Sequence, residues 1–400
     1  MTSIDNFRIP NINTVTYIIE NKHVSAQKLA LQNNNNSNID YAFALQQIAG
    51  RQQSEQKLPF FCQNDKLIFP PKLNIEQCSS EATARYKQAH FKGKHFVDLT
   101  GGFGIDFYWM SQHYDEKIYV EQNPMLCQLA KHNFTSLGLT NFSIIQSDAQ
   151  TALSHLPEVD CIYIDPARRN TAGEKTVFLT DCEPNVIQLV EQVLAKSNTF
   201  VIKLSPMLDI TSAITQLKNV HEVHVVSVAN ECKEILLVLK SGETHHIQYY
   251  AVNILKNKEL SIFQFTKEAE KESVVRFCDK LGTYLYEPHA SILKAGAFRS
   301  ISARYNLQKL HPNTHLYTSD SYCENFPGRI FSIESSFDSS KLNIKKLKAS
   351  IQKANLATRN YPIKVEELKK KLGLKDGGDY YLFACTVGKN AHRILVTKKS

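Results

Sequence analysis

Between residues 95 and 240 short apolar runs alternate with stretches of helical spacing. The runs are His95–Leu99, Lys117–Val120, Phe142–Ile145, Cys161–Ile164, Phe200–Leu204, Val223–Val228 and Ile235–Leu239. Amphipathic segments such as Pro124–Leu137 and Pro184–Lys196 lie between most of them. This alternation predicts an α/β fold with a doubly wound, mostly parallel sheet. Only the short Asn230–Glu234 stretch joins the last two runs, which demands an antiparallel hairpin. The expectation is a seven-stranded sheet closed by that hairpin.

The flanks read differently. Residues 1–85 predict a helical N-terminal domain, with apolar positions at helical spacing over Asn11–Leu31 and Ile39–Arg51. The run Asn33–Asn36 reads as a polar loop, Pro59 and Pro70-Pro71 interrupt the pattern, and a further helix is expected near Ser80–His90. Residues 86–245 then form the α/β domain. Residues 246–325 mix strand-like runs (His246–Ile254, Ser261–Phe265) with a helical Lys267–Leu281, as a small α+β module would. In residues 326–400 we expect a strand at Arg329–Ile333 and helices at Ile344–Ala354 and Val365–Leu372. Two strands follow, at Tyr380–Cys385 and Ala391–Thr397, after a turn at Asp376-Gly377-Gly378.

Composition narrows the class. The chain has 400 residues, 42% of them hydrophobic, with only 15 Gly and 13 Pro, enough for several folded domains. Its first 22 residues lack the apolar core of a signal peptide, and no apolar run approaches the ~18 residues of a membrane span. A cytoplasmic protein with no membrane partner is expected. Nine scattered cysteines with no C-x-x-C pair argue against a zinc ribbon, a redox motif and a secreted disulfide framework. His221 and His224 are expected on opposite sides of a strand, as are His245 and His246, so no metal site is expected. The charge of +8 is segregated: residues 341–400 hold 15 Lys and Arg against 4 Asp and Glu, a net of +11, which leaves −3 on the rest. A basic end on a slightly acidic body suggests a polyanionic partner.

Candidate chemistry begins at Asp98-Leu99-Thr100-Gly101-Gly102-Phe103-Gly104, which follows the first strand and opens a helix. Glycines there let a ligand approach the backbone, and the helix start adds free N–H donors. The dinucleotide fingerprint G-x-G-x-x-G fails, because Phe107 stands at the third glycine's place, and no P-loop is present. Taken alone, a tight turn explains the glycines equally well. Three acids at successive strand ends favour a ligand site instead: Glu121, 23 residues after Asp98, then Asp148 and Asp165. Any one of them alone would be read as a helix cap.

This series resembles the motifs of class I S-adenosylmethionine-dependent methyltransferases, a Rossmann-like fold, over about residues 86–240. The resemblance implies S-adenosylmethionine as cofactor. Asp98, Thr100, Gly101, Gly102 and Gly104 would wrap its methionine part, Glu121 would hold the ribose hydroxyls, and Asp148 with Ala149 would recognise adenine. The wider chain resembles a bacterial family of such enzymes carrying ferredoxin-like and C-terminal THUMP-like domains, through Glu287–Gly296, Thr358–Pro362 and Lys375–Gly378. THUMP-like similarity implies structured RNA as substrate.

The segment Asp165-Pro166-Ala167-Arg168 bears on the reaction. Amino-group methyltransferases present an acidic or amide oxygen before Pro to the target nitrogen, and this chain keeps Asp-Pro but departs at Ala167 and Arg168. Tyr163 lies two residues before the acid, while Arg168 and Arg169 could stack on a base or grip phosphate. Methylation of a base nitrogen, such as guanine N2, is the first expectation. A pyrimidine carbon-5 enzyme ranks second, since that chemistry needs a cysteine nucleophile and Ser205 stands after the fifth strand, leaving Cys232 as substitute. A protein or small-molecule methyltransferase, a non-catalytic RNA-binding protein and, last, an oxidoreductase are the other readings. RNA contacts are expected at Lys345, Lys346, Arg359, Lys364, Lys369, Lys370 and Lys371, Arg359 and Lys364 forming a stacking-plus-phosphate group with Tyr361. Solvated faces of two helices are the plainer account of these lysines.

Overall fold

The computed structural model describes residues 7–32, 36–168, 179–242, 246–338 and 340–400. Two compact units emerge, one of residues 1–222 with 233–244, the other of 223–232 with 245–400.

The first unit opens with six helices: α1 (Ile12–Asn21), α2 (Ala26–Ala30), α3 (Tyr41–Ser54), α4 (Pro59–Gln63), α5 (Lys72–Gln77) and α6 (Glu81–His90). The helical stretch expected over Asn11–Leu31 divides into α1 and α2, the second entered through Ser25. Pro59 and Pro71 start helices rather than merely ending them, Pro59 as the first residue of α4 and Pro71 as the cap of α5. A proline suits these places because its missing N–H would find no intrahelical partner there. Ser80 caps α6 by accepting the Thr83 N–H at 3.2 Å.

All seven expected apolar runs are strands. They are β1 (His95–Asp98), β2 (Glu116–Glu121), β3 (Phe142–Gln146), β4 (Val159–Ile164), then, after the two-residue strands β5 (Ala167–Arg168) and β6 (Cys182–Glu183), β7 (Ser197–Leu204), β8 (Val220–Val228) and β9 (Glu231–Lys240). Helices α7 (Ile105–Met110), α8 (Pro124–Ser136), α9 (Ala149–His155), α10 (Val186–Leu194) and α11 (Ile210–Leu217) fill most connections. In the first unit the order is β3-β2-β1-β4-β7-β9. The first five strands are parallel and β9 runs antiparallel to β7, pairing Leu204 with Ile235. The chain reverses between β8 and β9 at Ala229 and Asn230, both with positive φ (48° and 69°), the conformation that a tight two-residue hairpin needs. The order places the ends of β1 and β4 side by side, where ligands of open α/β sheets bind.

In the second unit β8 neighbours β10 (Gln248–Ile254), which pairs antiparallel with β11 (Leu260–Thr266). The helix expected over Lys267–Leu281 is shorter: α12 (Lys267–Glu272) ends where Arg276–Phe277 becomes β12, parallel to β14 (Gln308–His311). An eight-stranded sheet takes up the rest, with β13 (Tyr284–Pro288), β15 (Thr314–Ser319), β16 (Gly328–Asp338), β17 (Asn355–Arg359), β18 (Tyr380–Val387) and β19 (Ala391–Lys399). Its order is β12-β14-β15-β13-β16-β19-β18-β17. Helices α13 (Ala290–Ala295) and α14 (Ser300–Arg304) precede β14, while α15 (Lys341–Ser350) and α16 (Val365–Leu372) flank β17. Leu347, Leu368 and Leu372 of these last two helices pack with Leu382 and Ile394 of the sheet. The Asn33–Asn36 loop lies outside the described residues except for Asn36, as does His245.

Candidate active site

Tight packing shapes the turn after β1. A Cβ on Gly101 would come within 2.1 Å of the Tyr119 ring, and one on Gly104 within 2.6 Å of Phe134. Tyr119 then donates its hydroxyl to the Gly102 carbonyl at 2.6 Å. Gly102 and Gly104 have φ of +57° and +83°, a region costly for residues with a Cβ. At Gly102 a Cβ would find open space, nothing nearer than 3.8 Å. The turn is packed from below and open above.

Acids surround this opening. Asp98 is buried and accepts the Thr100 N–H at 2.9 Å. Burial, with Asp106, Asp165 and Glu121 nearby, drives its carboxyl well above the usual range, against the Thr100 hydrogen bond. Half-buried Glu121 accepts the Gly102 N–H at 2.9 Å and the Asn123 N–H at 2.8 Å. Asp148 is exposed and caps α9 through the Thr151 N–H at 2.9 Å, a bond that lowers its pKa. Its neighbour Ser147 donates to the Glu121 carbonyl at 3.1 Å, which ties the ends of β2 and β3 together. Ala149 is buried as the first residue of α9.

Asp165 joins the group from β4. Its N–H donates to Thr100 Oγ1 at 2.6 Å, and Leu99 N–H donates to the Tyr163 carbonyl at 3.0 Å. Lys203 Nζ lies 2.5 Å from Asp165 Oδ2. Burial raises the Asp165 pKa while Lys203 pulls the other way. Pro166 is buried, and Ala167 and Arg168 form β5, paired antiparallel with Glu183 and Cys182 of β6. The side chain of Arg168, and Arg169 altogether, lie outside the described residues.

Known proteins resemble this chain over most of its length. A protein of Porphyromonas gingivalis W83 whose crystal structure is described as that of a "putative methyltransferase" is 32% identical over 97% of this chain and 98% of its own, with a TM-score of 0.88. An uncharacterized S-adenosylmethionine-dependent methyltransferase of Mycobacterium tuberculosis is 22% identical over 75% of this chain and 80% of its own length. Residues 284–327 match the profile of a ferredoxin-like domain and residues 328–399 that of a THUMP-like domain. The chain belongs to this family of S-adenosylmethionine-dependent methyltransferases.

The residues fit the cofactor of such a methyltransferase. A turn open above Gly102, a half-buried carboxylate at Glu121 and an exposed one at Asp148 supply a backbone cradle and acceptors for hydroxyl and amine donors.

Sequence reasoning missed what lies beneath. Lys203, Lys87, Asp106, Glu234, Ser79 and Tyr163 form a buried polar network against Asp165. Tyr163 is 1% exposed and donates to Asp106 at 2.7 Å, so it offers no face to a base. The signal was a lysine inside the apolar run Phe200-Val201-Ile202-Lys203-Leu204. An ammonium tolerated there must have buried partners.

The basic residues of the second unit divide into two kinds. Lys345, Lys346, Lys364, Lys370 and Lys371 are exposed. Lys369 pairs with Asp376, and Arg359 donates to Glu287 Oε1 at 2.7 Å. Lys369, Lys370 and Lys371 occupy the last turn of α16, where the helix dipole favours cations. Tyr361 packs partly against the apolar cluster under these helices. Among the described residues no helix is long and apolar enough to cross a membrane. Among the described residues, buried Cys127, Cys161, Cys182, Cys278 and Cys385, and half-buried Cys62, Cys78, Cys232 and Cys323, form no disulfide.

Proposed function

We propose that this methyltransferase acts on a base nitrogen of structured RNA, guanine N2 being the first candidate. The observation that carries the reading is the placement of Asp165. Its backbone is tied to Thr100 beside the glycine turn, and its carboxylate, 32% exposed, has Lys203 on one side.

When bound, S-adenosylmethionine supplies an electrophilic methyl on a sulfonium. In this reading Asp98, Thr100, Gly101, Gly102 and Gly104 hold its methionine part. Glu121 accepts from the ribose hydroxyls, and Asp148 and Ala149 recognise adenine. Asp165 accepts a hydrogen bond from the target amine. An exocyclic amine shares its lone pair with the ring, so an acceptor on its N–H favours the pyramidal, nucleophilic form and sets it in line. The same carboxylate is placed to take the proton that the methylated nitrogen sheds. Pro166 and Ala167 shape the base's seat, and Arg168 is the cation assigned to its phosphate or ring.

Support for RNA comes from the THUMP-like match and from the +11 charge of residues 341–400. Lys345, Lys346, Lys364, Lys370 and Lys371 are the phosphate contacts, with Lys369 and Arg359 partly engaged by acids. In the same reading residues 1–85 complete the catalytic part formed by 86–245, while 246–325 and 326–400 present the RNA.

Carbon-5 methylation is disfavoured by the state of Cys232. Burial raises the pKa of its thiol, with Lys294 opposing, which works against the thiolate that reaction needs. The test is to incubate the protein with labelled cofactor and total bacterial RNA and to identify the modified nucleoside by mass spectrometry. A labelled N2-methylguanosine supports the reading. Label in protein or small molecules, with none in RNA, rejects it.

A further inference from the structure

The proposed chemistry uses Asp165 and leaves the charges beneath it without a task. Lys203 stands in the middle of β7's apolar run with its side chain only 11% exposed. Such an ammonium persists only where its donors are paired. Its Nζ lies 2.5 Å from Asp165 Oδ2, 3.0 Å from Ser79 Oγ and 3.7 Å from Asp106 Oδ2. The last two partners are themselves fixed. Ser79 donates to Asp106 Oδ2 at 2.6 Å and Tyr163 donates to the same oxygen at 2.7 Å. Lys87 of α6, fully buried, closes the network on Asp106 Oδ1 at 3.0 Å and Glu234 Oε1 at 2.6 Å.

Two cations therefore face three carboxylates. Asp106 and Glu234 are 9% and 5% exposed, whereas Asp165 is 32% exposed, so Asp165 is the carboxylate of the three that a ligand can reach. Lys203 is braced from the N-terminal segment through Ser79 and from α7 through Asp106, and its contact with Asp165 is the one directed toward the glycine turn.

We propose that Lys203 is a positioning residue for methyl transfer, a braced ammonium that fixes the orientation and negative charge of the Asp165 carboxylate opposite the cofactor's sulfonium. This rests on the reading of Asp165 as the acceptor. The groups acting on Asp165 are Lys203 from β7, Lys87 from α6 and Asp106 from α7. Asp98, Tyr163 and Glu234 complete the surroundings on β1, β4 and β9. Burial raises the Asp165 pKa, Lys203 opposes it, and Asp106 adds to the rise.

The test needs no RNA. Dissociation constants of S-adenosylmethionine and S-adenosylhomocysteine are measured by calorimetry on the full chain from about pH 4 to 8. Only the former carries the sulfonium charge, so the ratio of the two constants reads the charge of the acids facing it. Wild type should show a step in this ratio, and Asp165→Asn should remove the step. A step that survives Asp165→Asn overturns the acceptor reading and this inference together.

With the step assigned, Lys203→Met should move it to higher pH by about one to three pH units. Lys203→Arg should hold it near the wild-type position. Asp106→Asn, which removes a like charge, should move it the opposite way. A structural lysine would instead weaken both ligands alike and leave the step in place, and that result overturns the inference while sparing the role of Asp165. Should Lys203→Met fail to fold, Asp106→Asn decides: a step moved to lower pH supports the inference, and one unmoved or moved upward rejects it.

Discussion

Gly102 donates its backbone N–H to the Glu121 carboxylate at 2.9 Å, so the turn after β1 and the end of β2 are held by one bond. The second carboxylate oxygen accepts from Asn123 at 2.8 Å. Each oxygen keeps a lone pair free for a ligand's hydroxyls. In Glu121→Gln one oxygen becomes an amide donor facing an N–H, and the charge is lost. The cofactor's Kd should rise by about ten- to a hundredfold, as loss of a charged hydrogen bond implies. Calorimetry checks this, and a change of less than about twofold would exclude Glu121 from the pocket.

Asp98 and Asp165 should separate binding from chemistry. Asp98→Ala frees the Thr100 N–H and unseats the hydroxyl that accepts from Asp165, so cofactor binding should be lost. Asp165→Ala should change the cofactor's Kd by less than about tenfold while methyl transfer to RNA falls by about a hundredfold or more. Equal loss of both in Asp165→Ala would contradict its role.

The glycines of the turn differ in what they tolerate. Gly101→Ala drives a methyl to within 2.1 Å of the Tyr119 ring, so it should cost about 1–3 kcal/mol or more and lower Tm by several degrees. Gly102→Ala meets no atom nearer than 3.8 Å, but its φ of +57° costs about 1–2 kcal/mol. Its methyl would project into the open side of the turn, so its larger effect should be on cofactor affinity. Thermal melts with and without cofactor distinguish the two.

Most of the sheet was legible in the sequence because its strands are continuous apolar runs, each bounded by polar or turn residues. Asp98, Glu121 and Asp165 were legible because each ends such a run. The Lys203 network was not, since Ser79 and Lys87 lie more than a hundred residues before Lys203 and Glu234 and meet them only after α6, β7 and β9 pack. Strand β17 was missed for another reason: Asn355–Arg359 is only half-buried and carries a polar pattern. The helix expected over Lys267–Leu281 overran because Arg276–Phe277 pairs with β14 about thirty residues later, a long-range contact that local spacing does not report.

Arg359 should behave unlike the lysines around it. Glu287, 3% exposed, is held by Arg359 and Arg329. Arg359→Gln leaves that buried carboxylate with one cation and should lower Tm. Lys370→Glu with Lys371→Glu should lower Tm by only a few degrees, the cost of reversing two surface charges at a helix C-terminus, and should weaken RNA binding. The double variant should also flatten the dependence of binding on salt. Filter binding over a salt series measures both effects, and an unchanged slope would remove α16 from the RNA contact.

Two histidines predict acid sensitivity in the second unit. Burial depresses His289 and His315 to about 4, with Arg329 and Lys309 adding to it. Above pH 6.5 both are neutral folded or unfolded, so they add no pH dependence. As pH falls below 6.5 the unfolded chain takes up protons that the folded one refuses, so stability declines until about pH 4. The slope is roughly 1.4 kcal/mol per pH unit for each fully responsive histidine, less for partly exposed His315. Urea melts of His289→Gln should show a shallower decline through this window.

The ferredoxin-like and THUMP-like matches meet between residues 327 and 328, yet the hydrogen bonding does not stop there. Strand β16 begins at Gly328 and pairs with β13 on one side and β19 on the other. Gly328 lies so close to the Glu287 carbonyl that a Cβ would come within 2.2 Å of it. A truncation at this seam would bare a row of unpaired backbone groups on each fragment, an invitation to self-association. The two segments thus share one eight-stranded sheet, and cutting the chain at their boundary would part β16 from β13.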